Sequence, residues 1–414
     1  MRRYDSYIDS GIEVLGKVPS SWKKSKFKFQ HFEQDERVGE DSTEYDLLSL
    51  TKKGIILRDI ESGKGKFPES FDTYKKVKKD DLIFCLYDIE ETPRTVGLSE
   101  LNGMITGSYK IFNSKDVITK FTYYTFLVID DVKGLKPYYT GLRNVVRPET
   151  FKSLPFFIPP LSEQQQIVSF LDTKTSLIDS LFEKTQRKIE LLKEKRTSLI
   201  NELVTKGLNP NVEMKDSGVE WIGEIPIIWE MKKIKFVFQE KKSIKNLELN
   251  SGSISFGVVV YKDDEKILKS TKESYQELLK GEFLINPLNL NYDLKSLRIG
   301  MSRINVVVSQ GYIILILKGG FNPFYFEYLL RRFDVIHMKS LGQGVRQTIS
   351  FNHIKDEYLV VPSVQEQQQI VDYLDEQTQL IDNTISIEEN RIELLKEYRQ
   401  SLISEVVTGK RKVV

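Results

Sequence analysis

Two stretches of this chain place apolar residues at steps of three and four, the spacing that lines them along one stripe of a helix. The first runs through Ile167, Leu171, Ile178, Phe182, Ile189, Leu192, Leu199 and Leu203, with Lys174, Thr185 and Arg196 at the stripe positions left over. The second runs through Ile370, Leu374, Ile381, Ile385, Ile392, Leu395, Leu402 and Val406, with Gln377, Glu388 and Arg399 in the corresponding gaps. Sustained over about six heptads, this is a coiled-coil pattern. Ser162, with Gln165 three residues on, predicts a capped start. Gly207 and Pro210 predict the end of the first helix, and Gly409 that of the second. Each helix would reach roughly 65 Å at 1.5 Å per residue.

The two stretches are copies. Glu163-Gln-Gln-Gln-Ile-Val168 returns as Glu366-Gln-Gln-Gln-Ile-Val371, and 25 of the 44 residues from Glu163 to Lys206 are identical without a gap. A second repeated piece opens each half: Asp9 to Trp22 matches Asp216 to Trp229 at seven of 14 positions. Between these pieces lie two bodies of weak similarity, with 12 of 51 positions matching when Tyr109–Pro159 is set on Tyr312–Pro362. Two helices related by duplication most simply pair with each other, and a pseudo-twofold pair is antiparallel; the alternative is that each docks on a separate partner. Arg196 and Arg399 are the polar stripe residues suited to fixing register.

Within the bodies, Asp81–Leu86, Glu282–Ile285, Tyr109–Phe112 and Tyr312–Leu317 read as buried strands. Phe121–Val128 and Pro323–Arg332 read as aromatic helices, the latter capped by Asn322. Thr119 is expected to cap the former. The architecture is therefore α+β: two mixed α/β bodies joined by two long antiparallel coiled-coil helices, with an internal pseudo-twofold repeat. Its segments are residues 1–22, a first body at 23–160, a central region at 161–229, a second body at 230–362 and a final helix region at 363–414. The helix seam is expected to hold Ile178, Ile189, Leu192, Leu199, Ile381, Ile392, Leu395 and Leu402.

Composition narrows the function without choosing it. Apolar residues make up 40% and charged residues 29% of 414, as in an ordinary globular protein. The longest apolar run, Tyr312–Leu317, is strand-sized, and the start Met1-Arg2-Arg3 turns polar at once. Cys85 is the single cysteine, and the three histidines are scattered. No membrane span, secretory stretch, disulfide framework or metal cluster is expected, which points to the cytoplasm. The 61 basic and 59 acidic residues leave a net charge of +2. Affinity for phosphate depends on where charge is placed, so this sum neither demands nor excludes nucleic acid.

Tempting catalytic motifs fail on inspection. Gly11-Ile-Glu-Val-Leu-Gly16-Lys17 lacks the Ser or Thr of a phosphate-binding loop, and the repeat puts Glu224 where its lysine would be. Asn322-Pro-Phe-Tyr325 resembles an amino-methyltransferase loop with the wrong third residue, and no donor-binding glycine loop accompanies it. Gly342-Gln-Gly344 is uninformative. Glu163 and Glu366 read as solvated acids in a first helical turn. No catalytic residue and no metal ligand is assigned.

Asp216-Ser-Gly-Val-Glu-Trp-Ile-Gly-Glu-Ile-Pro226 with Trp229, Pro159-Pro-Leu-Ser-Glu-Gln-Gln-Gln-Ile167 and Arg391-Ile-Glu-Leu-Leu-Lys-Glu-Tyr-Arg-Gln-Ser-Leu-Ile403 resemble the signatures of type I restriction–modification specificity subunits. The likeness covers the whole chain in order. It departs slightly at Val14, where the second copy has Trp221. The resemblance implies that each body is a target recognition domain reading one half of a bipartite double-stranded DNA target. It implies that the helices measure the spacer, and that two modification subunits and restriction subunits assemble on the chain. S-adenosylmethionine, ATP and magnesium would belong to those partners, with no cofactor in this chain. The rival reading is a scaffold that binds only proteins.

Candidate DNA contacts are cations in turns and loops. Gly141-Leu-Arg143 and Gly344-Val-Arg346 form an island of identity, suited to gripping phosphate or guanine or equally to an ion pair. Lys52, Lys53, Lys64 and Lys66 stand beside glycines, Arg94, Arg298 and Arg303 follow the buried strands, and Gln343 lies in the second glycine loop.

Overall fold

The computed structural model describes residues 3–59, 68, 70–288, 297–341 and 348–413. The chain divides into two compact units, Met1–Gln186 with Glu389–Val414, and Arg187–Glu388. The division falls inside both long helices, Leu161–Lys206 and Val364–Val407. Each unit thus takes a body and a stretch of both helices, cutting across the linear segments of the sequence.

In the first unit a four-stranded antiparallel sheet has the order His31–Gln34, Lys110–Ser114, Leu82–Phe84, Val96–Leu98. Leu82-Ile-Phe84 is buried on both faces, which is why it reads as a continuous apolar run rather than an alternation. Leu82 and Phe84 face an aromatic core with Phe27, Phe112, Phe126, Phe151 and Phe156. Ile83 and Ile111 face a smaller cluster with Leu48, Ile55, Val77 and Ile105. The helix Thr119–Asp131 covers the aromatic side. A hairpin, Leu48–Thr51 with Gly54–Leu57, lies over the smaller cluster.

The second unit repeats this plan. Its sheet runs Phe238–Glu240, Ile313–Leu317, Phe283–Ile285, Ile299–Met301. Its helix is Pro323–Ile336 and its hairpin Gly252–Ser255 with Val258–Tyr261. The Asn322 side chain accepts from the Phe324 and Tyr325 N–H groups, the expected cap. Thr119 is not a cap: it is the first helical residue, and Ile118 holds the cap position.

The long helices pair antiparallel inside each unit. In the second, Lys188 meets Glu388 at 2.5 Å and Arg196 meets Asp382 at 3.0 Å, so one number rises as the other falls. In the first, Arg399 meets Asp179 at 2.9 Å while Lys396 lies over the Phe182 ring. Arg196–Asp382 and Arg399–Asp179 are the same bond in the two copies. Ile178, Ile189, Ile381, Ile392 and Leu402 are buried in the seam, and Leu192, Leu199 and Leu395 are half-buried. Lys174 and Gln377 do not fill the stripe as expected. Thr175 and Thr378, each 5% exposed, take those places. Each hydroxyl donates to the carbonyl four residues back (2.7 Å), which satisfies it within its own helix. Ser162 falls inside the first turn, because the helix already begins at Leu161.

Candidate nucleic-acid interface

Each body is fastened to its helix stretches by residues that the sequence repeats. Trp22 donates its indole N–H to Glu163 (3.0 Å), and Trp229 donates to Glu366 (2.8 Å). Each indole also closes on the far helix's end: a Cβ at Gly409 would come within 3.3 Å of Trp22, and one at Gly207 within 3.0 Å of Trp229. Glu163 and Glu366 are therefore not plain solvated acids; each joins a body to a helix start. The next residue does the same with an amide. Gln164 accepts from the Ile118 N–H and donates to the Pro159 carbonyl, both at 2.9 Å. Gln367 accepts from Asn322 N–H and donates to the Pro362 carbonyl, again at 2.9 Å. Both glutamines are buried, so each bond also spares an unpaired polar group its desolvation cost.

A third fastening was hidden by the ungapped comparison. Tyr124 donates to Asp172 (2.7 Å) and Tyr328 to Asp375 (2.6 Å). Asp130 accepts from the Thr95 N–H (3.0 Å), and Asp334 from the Ile299 N–H (3.1 Å) and the Arg298 N–H. The body helices thus match with a one-residue shift relative to the long helices.

One core position differs in kind. His31 stacks on Phe27 at 4.1 Å, and its ring nitrogens bond the Phe27 carbonyl (3.0 Å) and Thr122 Oγ1 (2.9 Å). Burial pushes this imidazole down to about 4, against the small opposing pull of the Phe27 carbonyl. Nδ1 then donates to the carbonyl, and neutral Nε2 accepts from the hydroxyl. The second unit places Phe238 there, edge-on to Phe326.

The hairpins share a seat and differ at the tip. A Cβ at Gly97 would lie 2.7 Å from both Ile55 and Leu50, and one at Gly300 would strike the Gly257 carbonyl. The second hairpin therefore needs glycine on the strand beneath it, where backbone is the obstacle, whereas at Gly97 the obstacles are side-chain ends that can shift. In the first unit the turn is Lys52-Lys53, both exposed. In the second it is Phe256-Gly257, with Phe256 71% exposed.

The other predicted cations are mostly committed inside the protein. Arg298 is 7% exposed and spends its guanidinium on the Leu288 carbonyl, so it is a framework residue rather than a surface contact. Arg94 is held by Asp130 (3.1 Å) and Asp131 (2.6 Å), which ties it to the body helix. Arg303 bonds Glu327 (2.7 Å) and lies over Phe324. Arg143 is exposed, paired with Asp88 at 2.5 Å and set over the Tyr87 ring; its partner holds the guanidinium pKa above its ordinary value. Lys52 and Lys53 have no ion-pair partner among the described residues. Lys64, Lys66, Gln343 and Arg346 lie outside the described residues.

Among the described residues no group of His, Cys, Asp and Glu could hold a metal ion, and no helix is long and apolar enough to cross a membrane. Comparison with known proteins gives a consistent picture. The family described as type I restriction modification DNA specificity domain matches residues 93–192 and 226–397, more than half of the chain. A type I restriction enzyme MjaVIII specificity subunit from Methanocaldococcus jannaschii is 25% identical over 297 residues. That match spans 66% of this chain and 66% of the relative, just under two thirds of its length. A chain from a structure of the type I R-M system superposes with a TM-score of 0.68 at 14% identity, covering 94% of this chain and 98% of that one. The HsdS subunit from Thermoanaerobacter tengcongensis superposes at 0.53 with 13% identity, covering 95% and 98%. These two share the fold.

Proposed function

Because this chain belongs to the type I restriction–modification DNA specificity family, we propose that its bodies, residues 23–160 and 230–362, each read one half of a bipartite double-stranded DNA target. The long helices set the spacing between the halves. One observation carries this reading: the fastenings to the helices are the same in both copies, whereas the exposed hairpin tips are Lys52-Lys53 in one and Phe256-Gly257 in the other. A homodimer presents two like readers; a duplicated chain presents two unlike ones. Joining them also raises affinity through effective concentration.

Two copies of a modification subunit dock on the repeated parts, and restriction subunits join them. Leu177 and Leu380, and Leu191 and Leu394, are repeat-related leucines left about half exposed on the long helices. Exposed apolar groups at matching places suit one partner binding twice. Those partners bring S-adenosylmethionine, ATP and magnesium, and this chain brings the address. Exchanging residues 23–154 for the matching body of a related subunit tests the proposal by methylome sequencing. One half-site should change while the other half and the spacer stay. If both halves change together, or neither does, the bodies are not independent readers.

A further inference from the structure

The second hairpin carries a feature that folding does not explain. Phe256 has a φ of +47°, in the left-handed region that a bulky residue occupies at a cost, and its ring is 71% exposed. A two-residue turn with both residues left-handed normally holds Asn, Asp or Gly at this place. Gly257, at +77°, meets that preference, and its own Cβ would come within 2.9 Å of Leu297. The tip is thus tightly seated, while its aromatic ring gains neither burial nor backbone comfort. Val258 and Val260 continue the exposed apolar edge at 52% and 38%, whereas Val259 between them is 6% exposed in the cluster with Leu278 and Leu284. One face of the ribbon is core, and the other is open, with Val258 and Val260 set beside Ser255 and Ser253.

We propose that Phe256 is a base-reading residue of the second body, making apolar contact with the C5-methyl of a thymine in the half-site that residues 230–362 read. This rests on the DNA reading above. A two-stranded ribbon is an element the major groove admits, and the thymine methyl is the apolar group exposed there. The corresponding turn of the first body offers Lys52 and Lys53, donors that suit guanine or phosphate acceptors. The two tips then read different chemistry from equivalent seats.

The full chain assembled with its modification subunits, on a duplex of its own target, tests this. Phe256→Asn relieves the turn, so the melting temperature should stay or rise. Affinity for the target should fall on the order of tenfold, with discrimination lost only in the second body's half-site. Replacing the thymines of that half-site by deoxyuridine, one position at a time, should cost the unaltered complex about fourfold at the contacted methyl. The same replacement should cost the Phe256→Asn complex nothing. Equal sensitivity to deoxyuridine in both complexes, or unchanged affinity in the variant, overturns the assignment while leaving the DNA reading intact. Loss of subunit assembly before DNA is added, read by gel filtration, overturns it in favour of a protein contact. An unaltered complex that binds no DNA overturns both.

Discussion

Trp22 and Trp229 occupy equivalent places, bond equivalent glutamates and close on the glycines that follow the long helices. Lys52 and Phe256 also occupy equivalent places, and they share neither charge, shape nor polarity. The first pair sits where a body meets the start of one long helix and the end of the other. The second sits where, among the described residues, the side chain is left largely to solvent. The contrast shows which positions answer to the fold and which to what lies outside it. A change at a fastening disturbs geometry; a change at a tip leaves the scaffold and alters the surface presented.

The comparison is tested most severely at the tryptophans. Both are nearly fully buried, at 3% and 1% exposure. Truncating a buried Trp to Ala typically costs about 3–5 kcal/mol. Trp22→Ala should destabilise the first unit and Trp229→Ala the second, by similar amounts, each removing the indole donor from its glutamate, although Glu163 keeps the Tyr4 hydroxyl. Hydrogen exchange resolved along the chain in each variant checks this. If either substitution costs less than about 1 kcal/mol, or loosens both units equally, the fastenings are not equivalent local locks.

A second test uses a core position where the copies differ in chemistry. His31 is neutral in the folded state down to about pH 4, whereas an unfolded histidine takes its proton near 6.5. Above pH 6.5 neither state is protonated and the site is silent. Between 6.5 and 4 the unfolded state binds a proton that the folded state refuses, so stability is lost as pH falls. At pH 5 the loss is about 2 kcal/mol, confined to the first unit. Phe238 cannot titrate, so the second unit lacks this contribution. Urea unfolding followed by exchange at pH 7.5 and pH 5 should show the difference, and His31→Gln should flatten it. An acid response in the first unit unchanged by His31→Gln would falsify the assignment.

Much of the frame was legible because it repeats. Periodicity located both long helices, and the buried strands Leu82–Phe84 and Phe283–Ile285 stood out as unbroken apolar runs. What misled was local. Lys174 completed an ideal step of three, but the side chain turned inward is Thr175, since a threonine can satisfy its hydroxyl within the helix and a lysine cannot bury its charge so simply. Glu163 resembled any acid in a first turn; its partner Trp22 lies far away in sequence. The Tyr124–Tyr328 and Asp130–Asp334 correspondences were masked by a single-residue shift. The environments of the cations were hidden for another reason. Composition in a loop does not disclose whether a guanidinium meets water, as with Arg143, or a carbonyl inside the body, as with Arg298. Phe256 gave no sequence signal at all, because only the left-handed backbone makes its exposure costly.

The smallest effect belongs to the register bonds, and it bears on how exact the internal repeat is. Arg196–Asp382 and Arg399–Asp179 are half-exposed, with arginine side chains at 31% and 35% and aspartates at 52% and 55%. Charge pairs so open to water are worth about 0.2–1 kcal/mol after screening. Arg196→Ala and Arg399→Ala should therefore each lower stability by no more than that, and by equal amounts. Both differences should shrink toward zero near 1 M salt, where the Debye length falls to about 3 Å. Reversing one pair, Asp179→Arg with Arg399→Asp, should restore what Arg399→Ala loses, because the two ends keep their places in the seam. Unfolding midpoints across a salt series decide the matter. A loss of several kcal/mol at one arginine alone would mean that the seam, and not only the hairpin tips, has diverged between the copies; equal and salt-sensitive losses mean that the helices hold both bodies by the same bond.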